Sequence, residues 1–363
     1  MPEVRLPTAA SHPASGRYLM ITIGIDPHKS TLTAVAVQTD GAQLAQIRLP
    51  VTAGINEQLL HFAAGWPERR WAVEGATGLG LGVAQQLSSA GETVLDVPAK
   101  LAARARLLAT GHGRKTDALD ATSVAAVAQH STTMQTVTAE DDTVPLRLIS
   151  DHRDDLVNER TRALNRLHRL LRELIPGGAK RQLSTAQAAG LLRTVRPLTT
   201  ADTYRKQLAR DLLDNVRRLD TRINAFTDQL TVLVKHSQTG LTDIRGIGPV
   251  IAAKIIGHSG NVARFADRNH YASYNGTAPS DASSGEQNRH RLSRLGNRQL
   301  NAAIHVIAVC QSSRPCQGRD LYLRKLSENK TPNEARRTLK RRLSDVVYRQ
   351  LVHDHQKRTS TAT

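Results

Sequence analysis

The chain has 363 residues, with 50 lysines and arginines against 32 aspartates and glutamates, a formal net charge of +18. Its two cysteines, Cys310 and Cys316, make neither a disulfide framework nor a four-ligand zinc site, and no apolar run reaches the roughly 18 residues of a membrane span. So much positive charge, most of it arginine, points to a polyanionic partner, while aromatics at 3% argue against a ring-stacking platform for single strands.

Residues 1–18 lack the apolar stretch of a signal peptide and read as a flexible leader, or as an upstream start before Met20, so a cytoplasmic protein is expected. Residues 19–135 read as α/β. "LMITIGID" (19–26) and "TLTAVAVQTD" (31–40) are strand-like runs joined by a short polar turn, and "AQLAQIRLP" (42–50) is a third candidate strand. A helix over 56–66, a strand over 70–74, a helix over 82–91, a strand over 93–98 and two further helices follow. Three strands and then alternating helices and strands is the order of a ribonuclease-H-like fold.

Residues 136–240 become charged and heptad-like. Leu212, Val216, Leu219, Ile223, Phe226, Leu230 and Leu233 form an a/d seam, with a second stripe through Val157, Leu164, Leu167, Leu171 and Leu174. The pattern predicts a helical coiled-coil arm, either folded back on itself or paired with a second copy. Residues 241–352 form a mainly helical third unit. Its "RGIGP" suggests a helix-hairpin-helix, in which Gly246 and Gly248 let the backbone approach a phosphate. Residues 353–363 are polar and expected to fray.

Asp26 and Glu74 each end a strand. Asp117 and Asp120, three apart in "GRKTDALDA", share one face of a helix. Any one of them serves equally well as a turn former or helix cap. Four carboxylates at one end of a sheet repel as bare charges, and a divalent cation removes the conflict. Mg²⁺ suits such oxygen ligands, and Mn²⁺ fits them too. Lys29, Arg114 and Lys115 lie beside these acids, placed to meet a phosphate backbone or simply to be surface charge.

"GIDPHK", "VEGATG", "GHGRKTDALDA", "RGIGP", "ASYNGTAPSDASSGE" and "RLGNRQLNAAIH" occur in this order. They resemble the successive motifs of insertion-sequence transposases of the IS110/IS116 type, also called DEDD transposases after their carboxylate quartet. The resemblance spans residues 20–352 and implies a Holliday-junction-resolvase-like domain, a coiled-coil arm and a transposase domain. It puts the quartet on Asp26, Glu74, Asp117 and Asp120, although Gly75 is an extra residue relative to the E-A-T-G of many members. It also implies a serine nucleophile at Ser284, with Ser283 as the neighbouring alternative, among Arg289, Arg291, Arg294 and Arg298, which are placed to hold phosphates. The expected activity is metal-dependent cleavage and exchange of donor and target double-stranded DNA through a phosphoserine, guided by a bridge RNA and performed by dimers that pair into tetramers. A junction-resolving metal nuclease of the same fold and a non-catalytic nucleic-acid-binding protein are the competing expectations.

Overall fold

The computed structural model describes residues 20–110, 116–132, 134–177, 183–281, 290–292 and 296–361, so the leader lies outside the described residues. The chain divides into two compact units, Met1–Asp141 and Asp142–Thr363.

In the first unit β1 (Ile21–Pro27), β2 (Thr31–Val37) and β3 (Gln43–Pro50) form an antiparallel meander. It is followed by α1 (Ile55–Phe62), β4 (Arg69–Glu74), α2 (Leu81–Ser89), β5 (Val94–Val97), α3 (Ala99–Thr110), α4 (Asp117–His130) and a two-residue β6 (Gln135–Thr136). The sheet order is β3-β2-β1-β4-β5-β6, with β1, β4 and β5 mutually parallel and β6 antiparallel at the edge. This is the ribonuclease-H-like arrangement that the strand pattern predicts, with β6 as an element too short to show in the sequence.

Every residue of β1 is buried because helices cover both faces of the sheet. Ile21, Ile23 and Ile25 pack with Trp71, Val73, Leu59 and Leu87 on the side of α1 and α2. The other face packs Val35 and Val37 on Ala121 and Ala125 of α4, and Ala72 and Val97 on Val124 and Ala128. Small residues on α4 let the helix lie almost on the strand. At Gly24 a Cβ would stand 2.0 Å from the Ala121 carbonyl oxygen, so only glycine admits this approach.

A second anchor ties β4 to the turn before β5. Glu92 accepts from Arg69 Nη2 at 2.5 Å and Nε at 2.9 Å, and from Trp71 Nε1 at 2.6 Å. Burial opposes the charge on Glu92, yet the Arg69 and Trp71 hydrogen bonds outweigh it and hold the carboxyl below its ordinary value.

The second unit begins with α5 (Thr143–Leu174), α6 (Thr185–Thr194) and α7 (Thr200–His236). Glu173 meets Arg205, Arg160 meets Asp220 and Arg153 donates to Thr227, so α5 and α7 run antiparallel within the chain. The buried stripe of α7 is Leu213, Val216, Leu219, Ile223, Leu230 and Val234. It thus shifts from the expected Leu212 and Leu233 by one residue at each end. A straight helix repeats every 3.6 residues rather than 3.5, and α6, held by a Ser184–Gln187 capping box, packs on the Leu213 end.

A single 3₁₀ turn (Gly240–Asp243) precedes α8 (Pro249–Ser259), so the first helix of the expected helix-hairpin-helix shrinks to that turn. Then come α9 (Arg268–Tyr274), a hairpin of β7 (Pro279–Asp281) and β8 (His290–Leu292), α10 (Arg298–Ser313), α11 (Gln317–Ser327) and α12 (Pro332–Thr361). The tail expected to fray from residue 353 instead continues α12. Asp354 is buried and accepts from Thr239 Oγ1 at 2.6 Å, which fixes the helix end against the 3₁₀ turn.

Both feet of the β7–β8 hairpin are fixed by polar bonds. Lys340 Nζ donates to Asn301 Oδ1 at 2.7 Å, and Asn301 Nδ2 donates to the carbonyls of Asn275 and Gly276. Asn275 Nδ2 donates to Ser344 Oγ at 2.8 Å, and the Asn297 N–H donates to the Tyr274 carbonyl at 2.7 Å. Burial pushes the Lys340 ammonium below its usual value. No described helix is long and apolar enough to cross a membrane.

Two expectations follow. Gly24→Ala forces α4 off the sheet and lowers stability by about 1–3 kcal/mol, measured by urea denaturation. Glu92→Gln leaves Arg69 without its counter-charge and costs about 1–3 kcal/mol at pH 7. Because the folded carboxyl sits below the ordinary 4.5, its contribution is fully present above that pH and is lost as the pH falls through the folded value. Melts from pH 7 down to about pH 3 therefore show parent and variant converging.

Candidate metal centre

Strand alternation selects the face on which the acids lie. Gly24 faces α4, so Asp26, two residues on, points the same way. Ala72 packs on α4 residues, and Glu74 follows it by the same step at the end of the adjacent parallel strand. Beyond Glu74 the chain turns through Gly75 at φ +58°, a left-handed conformation open to glycine at little cost. The Gly75 carbonyl then accepts from the N–H groups of Gly78 and Gly80. The extra glycine is therefore the turning point of the loop, and Glu74 keeps its place at the strand end.

Thr116 caps α4, its Oγ1 accepting from the Leu119 N–H at 3.3 Å. Asp117 and Asp120 fall in the first turn, where the exposed N–H groups favour negative charge. Asp117 is half-buried and Asp120 buried.

The structure brings Asp26 and Asp117 together with a residue that the sequence reading left out, His28. Its Nε2 lies 3.3 Å from Asp26 Oδ2 and 3.6 Å from Asp117 Oδ1. One ligand atom from each of the three falls within 4.8 Å of the others. His28 sits on the β1–β2 turn, where its N–H donates to the Thr31 carbonyl at 2.8 Å. The signal was present in "GIDPHK", two residues past Asp26.

Asp120 and Glu74 stand outside that tight group and gather around Arg106 of α3. Arg106 pairs with Asp120, and its guanidinium is held above its usual value by that hydrogen bond and charge, then by the charges of Glu74 and Asp26. Arg48 of β3 reaches Asp117 Oδ2 at 3.4 Å. The acids are therefore not bare: two arginines already offset their repulsion, and the His28 ring lies against two of them. Arg106 stands 14 residues before Asp120, and no local spacing in "AKLAARARLLA" marks it.

Two carboxylates and an imidazole fit a divalent cation. The imidazole moves the preference from a strict oxygen set toward metals that accept nitrogen, Mn²⁺ among them. Asp26, His28 and Asp117 are the residues that would hold it.

Of the basic candidates, Lys29 is exposed on the turn beside His28. Arg298 is exposed at the first turn of α10, and Arg291 belongs to β8, paired with Ser280. Arg114, Lys115, Ser283, Ser284, Arg289 and Arg294 lie outside the described residues. Gly246 has φ +92° and packs so that a Cβ would stand 3.3 Å from Cys310 Cβ, while Gly248 is the N-cap of α8. Turn geometry and packing account for Gly246 without a phosphate.

Comparison with known proteins agrees with the motif order. Residues 23–176 match a family model of DEDD transposases of the IS110 type, and residues 238–323 match the transposase IS116/IS110/IS902 family. The chain is 28% identical to an IS116 insertion-element protein of Streptomyces clavuligerus, over 93% of this chain and 96% of that one. It is 27% identical to an IS900 insertion-element protein of Mycobacterium paratuberculosis, over 92% and 95%. A solved structure of T. thermophilus RuvC in complex with a Holliday junction substrate is 19% identical, covering 32% of this chain and 99% of that one, with a TM-score of 0.27. Two family models in the expected order, together with full-length relatives from insertion elements, place this chain in the IS110/IS116 family of transposases.

Proposed function

We propose that this transposase cuts and rejoins DNA by phosphoryl transfer through a serine. The observation that carries the reading is the convergence of Asp26, His28 and Asp117 at the end of β1, beside Glu74 and Asp120. A divalent cation held there supplies charge to a phosphate and to the oxygens that attack and leave it. The chain's own groups do the rest. Asp26 and Asp117 present oxygens from two elements whose separation is set by Gly24, and His28 adds a nitrogen between them. Arg48 and Arg106 keep Asp117 and Asp120 oriented.

The Ser284 hydroxyl gives up its proton and attacks phosphorus. The bond from phosphorus to the 3′ oxygen breaks, that oxygen takes up a proton in place of the one the serine lost, and the strand leaves as a 3′-hydroxyl while the 5′ phosphate stays on the serine. A 3′-hydroxyl from another strand reverses the step, so joining needs no ATP. The family resemblance supports Ser284 over Ser283, a bridge RNA that delegates sequence readout to base pairing, and dimers that pair into tetramers. The net charge of +18 accords with two nucleic-acid partners.

Labelled DNA incubated with the full chain and Mg²⁺ or Mn²⁺ is expected to yield a denaturant-resistant protein–DNA adduct that Ser284→Ala abolishes. Asp26→Asn or Asp117→Asn is expected to cut its rate of formation by about a hundredfold or more, the scale of losing one charge-stabilising group. Cleavage that survives Ser284→Ala would mark a nuclease using water. DNA activities untouched by Asp26→Asn and Asp120→Asn would leave a binding protein only.

Arg106→Ala uncovers the charge of Asp120 and Glu74. The variant should melt lower than the parent without metal and gain more in Tm from Mn²⁺, since the cation then meets unopposed negative charge. Equal gains in the two proteins would refute a shared electrostatic site.

A further inference from the structure

The second unit contains a groove of about 1450 Å³ between α11, α12 and the turn that leads into β7. Its rim carries Arg245, Arg324, Lys330, Arg337, Arg342 and Arg349, all exposed. Among the described residues two acids line it, and both are engaged. Glu334 accepts from Thr331 at the head of α12, and Asp345 pairs with Arg341. Among the described residues Arg245, Arg324, Arg337 and Arg342 make no ion pair, so their guanidinium groups stand ready for an external anion. Below the rim the floor is aliphatic, formed by Ile244, Leu321, Leu339 and Leu343.

A cationic rim over an apolar floor limits what can fill the groove. The volume exceeds the roughly 300–1,000 Å³ of a small-molecule pocket, so a lone phosphate or nucleotide would leave most of it empty. A duplex carries its phosphates outside and its bases stacked within, so it would touch the rim and leave the floor bare. A single strand satisfies both parts, with phosphates on the arginines and unpaired bases against the aliphatic residues. The scarcity of aromatics is no obstacle, because the bases are received by burial and not by ring stacking.

Chain direction then selects the kind of strand. Thr277, Ala278 and Pro279 line the groove, and Ser284 follows Pro279 by five residues. We propose that this groove receives single-stranded DNA, a separated strand of the substrate close to the point at which it is cut, an inference that rests on the serine chemistry proposed above. The contacts are to backbone and base faces, so binding is tolerant of sequence and steeply dependent on salt.

The test uses the full chain and fluorescence anisotropy of a short oligothymidine over a salt series. Arg337→Glu combined with Arg342→Glu is compared with Arg166→Glu combined with Arg218→Glu, which changes net charge equally at exposed arginines of α5 and α7. The groove pair is expected to lose at least about tenfold more affinity than the control pair. Two lost phosphate contacts should also lower the log–log salt slope by about 1.4, at roughly 0.7 per phosphate for single strands. Equal losses in the two pairs overturn the proposal. So does a larger groove-dependent loss for oligouridine RNA or for duplex DNA than for the DNA strand, since the occupant is then a different one. If the parent forms no adduct while the groove pair still shows its excess loss, the serine chemistry falls and the groove stands. If adducts form normally and the groove pair binds like the control, the groove falls and the chemistry stands.

Discussion

The contact of α4 with β1 across Gly24 is the constraint on which the site depends. Asp26 comes from the strand and Asp117 and Asp120 from the helix, and their spacing is fixed by how closely the two backbones lie. The approach needs small residues on both sides, Gly24 facing Ala121 and Ala125. That tight packing brings helix-borne acids up to a strand-borne one.

Concentrating acids in this way carries an electrostatic cost that two arginines offset, while an imidazole lies between two of the acids. Arg48 comes from β3, Arg106 from α3 and His28 from the turn after β1. The compensation is partial by arrangement. Asp120 and Glu74 share Arg106, while Asp26 and Asp117 share an imidazole, a group that can ligate a metal as readily as it can pair with a carboxylate. A cation entering beside His28 would meet a nitrogen able to ligate it, whereas one entering beside Arg106 would meet a guanidinium that cannot, and this orders the two halves of the site.

Much of the first unit could be read from the sequence because its strands are short, apolar and set off by turns. The sheet order follows from the order of elements, and Asp26 and Glu74 were visible as acids ending apolar runs. What stayed hidden depends on contacts between segments far apart in sequence. Arg106 reads as one more charge in an alanine-rich helix, and β6 has two residues only. In the arm, the heptad reading placed Leu212 and Leu233 in the seam, but a straight helix turns slightly less per residue than a heptad repeat assumes and α6 packs on one end, so Leu213 and Val234 are buried instead. The polar tail from residue 353 gave no sign of order because its anchor, Asp354, bonds to Thr239, 115 positions away.

The lattice of Lys340, Asn301, Asn275 and Ser344 has a consequence for how such a domain can diversify. Its bonds tie Asn275 and Asn301, on either side of the β7–β8 hairpin, to each other and to Lys340 and Ser344 of α12, and directional bonds of this kind fix angle as well as position. Anchorage of the two strands thereby rests on residues outside them. Evolution, or an engineer, can therefore rewrite the sequence between the strands without touching the bonds that moor them.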